Sequence, residues 1–297
     1  MREIQLNLKP LIKKLEASLK KGETQEYMSS AYRSKFKGRG LEFEGFRSYL
    51  PGMDDAKEID WKSSLRSRDL LVRVLREERN LNIFILFDVS DTMLYASTEK
   101  LKCEYAAELI ATISYGMLNV GDRVGLCMFN DRIVKLVPPG TGMRHYYLIT
   151  KELSNPKSYG GKFNLGNMLK FCMGYLKSGT ILFVVSDFIG LEKQWKRFFS
   201  MAALKYDLTG FIIRDPRDMT LPEGGGQVMM ADPFSDAELL VDTDSIREDY
   251  EATTMEQLVD LTDHFIKTRS DYIVLFTDKE FFYPVLKFFE RRRSLLK

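Results

Sequence analysis

The chain has 297 residues, of which 44% are hydrophobic, enough to bury a sizeable core in one large domain or two small ones. Its 44 lysine and arginine residues nearly balance its 42 aspartate and glutamate residues, so the sequence lacks the basic excess typical of a dedicated nucleic-acid-binding protein. Three scattered cysteines and two histidines exclude a disulfide framework and a structural zinc site.

The remaining composition points to a reducing compartment. Cys103, Cys127 and Cys172 lie in apolar segments, so we expect them to be buried free thiols. The N-terminus carries charges throughout, unlike a secretory signal, and no uncharged apolar run reaches the length of a membrane span. These features predict a cytoplasmic protein without a membrane span.

The chain divides into three predicted parts. Residues 1–25 are predicted to form an N-terminal helix, because apolar residues recur at helical spacing until Gly22 ends the pattern. Residues 26–79 are rich in glycine, charge and aromatic side chains, and we expect an appended β-rich subdomain there. Residues 80–297 are predicted to form the main domain.

The main domain begins with an almost unbroken apolar run at 81–87, typical of a strand buried on both faces of a parallel sheet. A second such strand, at 180–185, is expected beside it. Strands and helices alternate throughout, which predicts an α/β fold with a mostly parallel, doubly wound sheet. Further strands are predicted at 123–129, 133–137, 208–213 and 272–276, and helices at 101–118, 145–153, 165–176, 193–203, 245–267 and 279–293.

One irregular region interrupts this alternation. Residues 216–241 contain the run Gly224, Gly225 and Gly226, which predicts a turn. We expect the two strands of a hairpin on either side of these glycines.

Polar side chains follow both apolar strands. Asp88 ends the first and Asp187 ends the second, while Ser90 and Thr92 follow Asp88 at a spacing of two. In a loop that leaves a strand, this spacing can direct one carboxylate and two hydroxyls at one point, and such oxygen ligands suit Mg²⁺ or Mn²⁺. Asp187 would add a second carboxylate through water, because the carboxyl ends of neighbouring parallel strands meet at one edge. Alternatively, Ser90 and Thr92 only cap a turn.

This pattern, with the Ser-Asp pair that ends the second strand, resembles the metal-ion-dependent adhesion site of von Willebrand factor A domains. That site also takes a threonine from a middle loop, which here reads Gly-Gly-Lys-Phe-Asn at 160–164. Phe163 stands at the threonine position, and Asn164 is the candidate substitute ligand. Lys162 could also direct its ammonium into the pocket. The resemblance therefore implies a degenerate site with weak affinity for Mg²⁺ or Mn²⁺.

A longer pattern precedes the main domain. In order, the chain contains Glu-Phe at 42–43, Arg-Ser-Tyr at 47–49, Pro-Gly-Met-Asp-Asp at 51–55, Ile-Asp-Trp at 59–61 and an arginine at 66. This order is similar to the signature of the domain of unknown function 58 family, which precedes a von Willebrand A-like domain. The chain departs from it by one extra residue, Met53, and by Lys57 in place of an arginine. Further matches are Gly-Asp-Arg-Val-Gly at 121–125, Arg-Asp-Pro at 214–216 and Thr-Asp at 277–278.

The resemblance implies a non-enzymatic protein-binding module that recognises its partner through the degenerate metal-ion-dependent adhesion site. Because members of the family are often encoded beside MoxR-type AAA+ ATPases, it also implies an adaptor or co-chaperone that works with such an ATPase. The balanced charge predicts that the chain binds no nucleic acid. The residues leave an enzyme open as the alternative. A phosphatase of the haloacid-dehalogenase type would use Asp88 as its nucleophile, although Ser90 replaces the usual acid/base aspartate, and a metal-dependent nuclease would use Asp88 and Asp187.

Overall fold

A computed structural model of the chain describes residues 7, 10, 12–13, 41–77, 80–232, 235 and 237–294. The predicted helix at 1–25 lies almost entirely outside these residues. The described residues divide between two compact units, a smaller one that spans 41–77 and a larger one that spans 81–294.

The smaller unit contains an antiparallel pair of strands and a short helix: β1 (Leu41–Ser48), α1 (Trp61–Ser67) and β2 (Leu71–Glu77). Asp60 begins α1, where its carboxylate accepts a hydrogen bond from the backbone N–H of Ser63 at 2.9 Å and pairs with Arg73 of β2. The aspartate of the Ile-Asp-Trp motif is therefore a helix cap that is tied to the neighbouring strand.

A second ion pair braces the turn after β1. Arg47 donates to both carboxylate oxygens of Asp54, and one of these oxygens also accepts from the backbone N–H of Leu50 at 3.0 Å. These hydrogen bonds lower the pKa of Asp54 to about 2. The charged residues Arg47, Asp54 and Asp60 of the signature thus stabilise the turns of this unit.

The larger unit alternates strands and helices. In chain order it contains β3 (Asn82–Asp88), α2 (Lys102–Asn119), β4 (Arg123–Phe129), β5 (Ile133–Gly140), α3 (Gly142–Leu153), α4 (Leu165–Tyr175), β6 (Ile181–Ser186), α5 (Trp195–Lys205), β7 (Asp207–Arg214), β8 (Gln227–Ala231), β9 (Glu238–Asp242), α6 (Thr243–Lys267), β10 (Asp271–Phe276) and α7 (Phe282–Ser294). Helices of the described residues all fall short of the combined length and apolarity that crossing a membrane requires.

The central sheet has six strands in the order β10-β7-β6-β3-β4-β5. Its neighbouring strands are parallel except at β5, which runs antiparallel to β4 at the edge. The chain starts at the interior strand β3, adds β4 and β5 on one side, and then adds β6, β7 and β10 on the other, which is a doubly wound arrangement. The predicted α/β fold with a mostly parallel sheet is confirmed. The two apolar strands are direct neighbours, since Ile83 pairs with Ile181.

Helices cover the sheet and bury both of its faces. On one face, side chains of β3, β4 and β6 pack with α4, α5 and the C-terminal part of α6 in one hydrophobic cluster. On the other face, α2 is buried along almost its whole length, and its buried residues include the charged Lys102, Glu104 and Glu108. Cys103, Cys127 and Cys172 are buried free thiols, as predicted.

The hairpin differs from its prediction. Both of its strands, β8 and β9, follow the three glycines instead of flanking them. Gly224 and Gly226 adopt positive φ angles of 61°, and they turn the chain against the start of α6. There the backbone N–H of Gly224 donates to Asp244 at 3.0 Å, and the carbonyl of Gly226 accepts from the backbone N–H of Thr243 at 3.0 Å.

Candidate functional site

Four of the five predicted ligands meet at the C-terminal edge of the sheet. Asp88 ends β3 and Asp187 follows β6, and both carboxylates are fully buried. Ser90 and Thr92 lie in the loop after β3 and are also buried. We call these four residues the strand-end cluster. They converge because β3 and β6 are parallel neighbours, so their C-terminal ends lie at the same edge.

Hydrogen bonds connect the strand-end cluster. The two carboxylate oxygens of Asp88 accept from the backbone N–H of Ser90 at 2.9 Å and from the hydroxyl of Ser186 at 2.6 Å. The hydroxyl oxygens of Ser90 and Thr92 are 3.1 Å apart, and Thr92 donates to Asp187 at 3.3 Å. The loop after β3 is thus bound to the end of β6 by side chains alone.

An ammonium group completes this network. Lys102, the first residue of α2, is only 1% exposed. Its Nζ donates to Asp187 at 2.7 Å and to the two carboxylate oxygens of Asp218 at 2.9 and 3.1 Å. Asp218 belongs to the short 3₁₀ helix Pro216–Asp218 that follows β7. One buried lysine therefore joins the start of α2 to the loops after β6 and β7.

Burial sets the ionisation of these groups. It raises the pKa of Asp88 to about 7, and the nearby carboxylate of Asp187 adds to this effect. Burial also raises the pKa of Asp218. For Lys102, burial lowers the pKa, but the carboxylates of Asp187 and Asp218 outweigh it and hold the pKa above its ordinary value. The ammonium is therefore charged at neutral pH and balances carboxylate charge inside the cluster.

The middle loop contributes differently from its prediction. Asn164 begins α4, where its side-chain oxygen accepts from the backbone N–H of Asn167 at 2.9 Å. Between described residues, no hydrogen bond joins Asn164 to the strand-end cluster. Phe163 packs in the hydrophobic core with its ring centroid 5.9 Å from that of Phe129, and Lys162 is exposed. The ammonium that reaches the cluster is thus that of Lys102 and not that of Lys162.

Two glycines of the middle loop attach it to the loop after β3. The backbone N–H of Gly160 donates to the carbonyl of Val89 at 2.6 Å, and that of Gly161 donates to the Asp91 carboxylate at 2.9 Å. Both glycines have positive φ angles, 109° and 100°, which residues with a side chain rarely adopt. A Cβ on Gly161 would also lie 2.5 Å from the side-chain nitrogen of Asn130. The close approach of the two loops therefore depends on glycine.

A second polar cluster lies beside the first. Asp215, directly after β7, accepts from the backbone N–H of Ser97 at 2.8 Å, from the hydroxyl of Thr277 at 3.3 Å and from the backbone N–H of Arg217 at 2.8 Å. Burial opposes the ionisation of Asp215, but these hydrogen bonds hold its pKa below the ordinary value. Two widely separated matches to the family pattern, at 214–216 and 277–278, thus meet in one contact.

The surface around the middle loop is basic. One cleft of about 310 Å³ is lined by Lys170 and Lys193, and another of about 590 Å³ by Arg132 and Lys157. Lys162 is exposed on the loop itself. We call these five side chains the basic rim. Glu192 also lines the first cleft, where its carboxylate accepts from the backbone N–H of Gly166 at 2.6 Å.

Lys102 and Asp218 were not predicted from the sequence as site residues. One signal pointed to Lys102: a cation at the first position of a helix opposes the helix dipole, so it needs a compensating partner. Nothing in the sequence around Asp218 distinguishes it from other acidic residues. Among the residues that the structure describes, no group of three or more His, Cys, Asp or Glu side chains is arranged to hold a metal ion.

Comparisons with known proteins identify relatives. The sequence profile of the family described as "Protein of unknown function DUF58" matches residues 45–260, which include the whole strand-end cluster. Uncharacterized protein Rv1480 of Mycobacterium tuberculosis and Uncharacterized protein Mb1516 of Mycobacterium bovis are each 24% identical over 259 residues, covering 86% of this chain and 81% of the relative.

Solved structures resemble the chain more distantly. BatB from Bacteroides thetaiotaomicron aligns with a TM-score of 0.49 and 15% identity over 73% of this chain and 98% of its own. An aerotolerance-related membrane protein from Bacteroides fragilis aligns with a TM-score of 0.49 and 14% identity over 72% of this chain and 99% of its own.

Proposed function

The chain belongs to the DUF58 family, and we propose that it is a non-enzymatic protein-binding module that recognises its partner through the loops around the strand-end cluster. The observation that carries this proposal is the convergence of Asp88, Ser90, Thr92 and Asp187 at the C-terminal ends of two adjacent parallel strands. This edge is where doubly wound sheets bind their ligands.

The contacts of the two carboxylates support a binding role over catalysis. Asp88 and Asp187 are fully buried, and the oxygens of Asp88 are occupied by Ser90 and Ser186. A phosphatase nucleophile or a nuclease metal ligand must reach a substrate, and full burial of both carboxylates opposes that access. The network instead fixes the loops, which favours recognition by a preorganised surface.

The main unit is, in this proposal, a von Willebrand A-like domain with a degenerate metal-ion-dependent adhesion site. The donor set does not fit a tightly held Mg²⁺ or Mn²⁺, because the ammonium of Lys102 already contacts Asp187 and the side-chain oxygen of Asn164 caps a helix. A divalent ion would have to approach this ammonium at close range, which Coulomb repulsion opposes. We therefore expect weak metal binding, with partner recognition that does not depend on it.

The basic rim defines the chemistry of the partner. Lys162, Lys170 and Lys193 surround the middle loop, so the complementary surface carries exposed carboxylates. Opposite charges across an interface speed association and set its orientation. A MoxR-type AAA+ ATPase is the proposed partner, with this chain as its adaptor or co-chaperone. Because such a partner consumes ATP, we place the complex in the cytoplasm.

Charge reversal on the rim tests the proposal. The double variant Lys162→Glu/Lys193→Glu changes two exposed side chains without touching the buried network. The matched control Arg123→Glu/Lys177→Glu reverses two exposed charges at the opposite edge, where β4 begins and just before β6. Binding to the purified MoxR-type ATPase of the same organism is measured by biolayer interferometry, with and without EDTA in the absence of nucleotide.

We expect the rim variant to bind at least about tenfold more weakly, while the control binds as the wild type does. EDTA should change neither affinity. Equal affinities for all three proteins, or an equal loss in the control, would show that the basic rim does not take part in partner recognition. If the wild type formed no complex with the ATPase, the proposal that a MoxR-type ATPase is the partner would be wrong.

A further inference from the structure

The hairpin β8–β9 exposes apolar side chains on a surface that the strand-end cluster does not include. Met229 of β8 and Leu240 of β9 are 58% and 56% exposed. They are directly opposite in the ladder, so their side chains lie on the same face of the hairpin. An isolated two-stranded hairpin is only marginally stable in water, and exposed contiguous apolar side chains mark interaction sites.

Acidic residues border this apolar pair. The next pairs on the same face are Gln227 with Asp242 at one end and Ala231 with Glu238 at the other. We call these six residues, Gln227, Met229, Ala231, Glu238, Leu240 and Asp242, the hairpin face. It consists of an apolar centre with one carboxylate at each end.

The charge of the surrounding sequence is entirely of one sign. Residues 219–246 contain six aspartates and glutamates and no lysine, arginine or histidine. The first basic residue that follows, Arg247, pairs with Glu223 at 2.8 Å and with Asp244 at 3.4 Å, and both of these acidic residues lie outside the two strands. The hairpin face therefore presents an apolar surface in a negative field.

We propose that the hairpin face binds a basic amphipathic helix of another protein. A helix with lysines or arginines on both borders of its apolar stripe covers Met229 and Leu240 and places cations near Glu238 and Asp242. An added β-strand would extend the edge of the hairpin and leave the apolar pair exposed. A second copy of the hairpin would place carboxylates against carboxylates, which disfavours self-association.

The base of the hairpin is anchored to the rest of the larger unit. The backbone carbonyl of Gly226, directly before β8, accepts from the backbone N–H of Thr243 at 3.0 Å and from its hydroxyl at 3.2 Å. Both donors belong to α6, which continues directly from β9. A helix that docks on the hairpin face therefore meets a supported surface, and this proposal stands independently of the basic rim.

A designed peptide tests this surface. The probe is a fluorescent helix of about five turns, with leucines along one side and lysines on the remainder, and its matched control carries glutamates in place of the lysines. Fluorescence anisotropy measures binding to the wild-type chain and to Met229→Ser/Leu240→Ser and Glu238→Lys. The control variant Met255→Ser/Val259→Ser removes two exposed apolar side chains, one turn apart on α6.

We expect both hairpin variants to weaken binding of the lysine peptide at least about tenfold, while the α6 control keeps the wild-type affinity. The substituted side chains are exposed, so the melting temperatures should stay within about one degree of the wild type. Equal affinity for both peptides, or unchanged affinity in the hairpin variants, would overturn the proposal. Sedimentation that reveals self-association of the wild type, lost in Met229→Ser/Leu240→Ser, would instead identify a second copy as the occupant.

Discussion

Replacing Lys102 with methionine should destabilise the protein and make it respond to magnesium. The ammonium is 1% exposed and contacts the carboxylates of Asp187 and Asp218. Methionine retains most of the volume but leaves buried carboxylate charge without its counter-ion. Removing one partner of a buried ion pair costs about 3–5 kcal/mol. For a domain of this size we expect a melting temperature about 10 °C lower.

The loss of the ammonium should also open the strand-end cluster to a cation. A bound ligand stabilises the native state according to its concentration relative to its dissociation constant, and a tenfold excess contributes about 1.4 kcal/mol. We therefore expect millimolar Mg²⁺ to raise the melting temperature of Lys102→Met by about 4 °C. The wild type should rise by less than about 1 °C, because Lys102 already holds Asp187. Differential scanning fluorimetry over a Mg²⁺ series measures both effects.

The exposed pair Lys196–Asp260 supplies the control, because its side chains are 43% and 58% exposed. Lys196→Met should cost less than about 1 kcal/mol and show no magnesium response. A Lys102→Met protein as stable as the wild type would refute the proposed electrostatic role of Lys102. A wild type that gains as much from Mg²⁺ as the variant would show that the ammonium does not compete with the ion.

Three other changes have distinct expected results. Gly210→Ala should lower the free energy of unfolding, measured by urea denaturation, by about 1–3 kcal/mol, because the added methyl group would overlap the buried ring of Phe265. Phe163→Thr, which introduces the threonine of the adhesion-site pattern, should cost about 3–5 kcal/mol in thermal unfolding, since it removes a ring packed in the core, and it should create no magnesium response. Arg47 lowers the pKa of Asp54 to about 2, so the stabilisation from ionised Asp54 is present above its unfolded value of 3.8 and disappears as the pH falls from about 4 to about 2. In Asp54→Asn, the stability of the smaller unit should no longer fall over this pH range, as measured by hydrogen exchange in β1 and β2.

The sheet could be predicted from the sequence because the apolar pattern of its central strands fits few structures. An apolar run such as 81–87 cannot alternate between core and solvent, so only a sheet covered on both sides can accommodate it. The same logic located Asp88 and Asp187, because polar residues that end such strands meet at one edge. These inferences need only local sequence and the geometry of parallel strands.

The remaining site depended on contacts that local sequence does not encode. Lys102 is 85 positions from Asp187 and 116 from Asp218, and only the order of strands in the sheet brings them together. The sequence around Asn164 is compatible with two roles for its side chain, metal ligand and helix cap. In the structure its side-chain oxygen caps α4. The hairpin was predicted at the wrong position, because Gly224 and Gly226 turn the chain toward α6 and do not form the turn between the two strands.

The most direct test of the central claim is amide hydrogen exchange of the chain with and without its purified MoxR-type ATPase. If the loops at the C-terminal edge of the sheet form the recognition surface, complex formation should slow exchange at 89–99, 159–164 and 187–194, and leave the opposite edge unchanged. Protection confined to other segments would contradict the account, and so would the absence of protection at saturating ATPase.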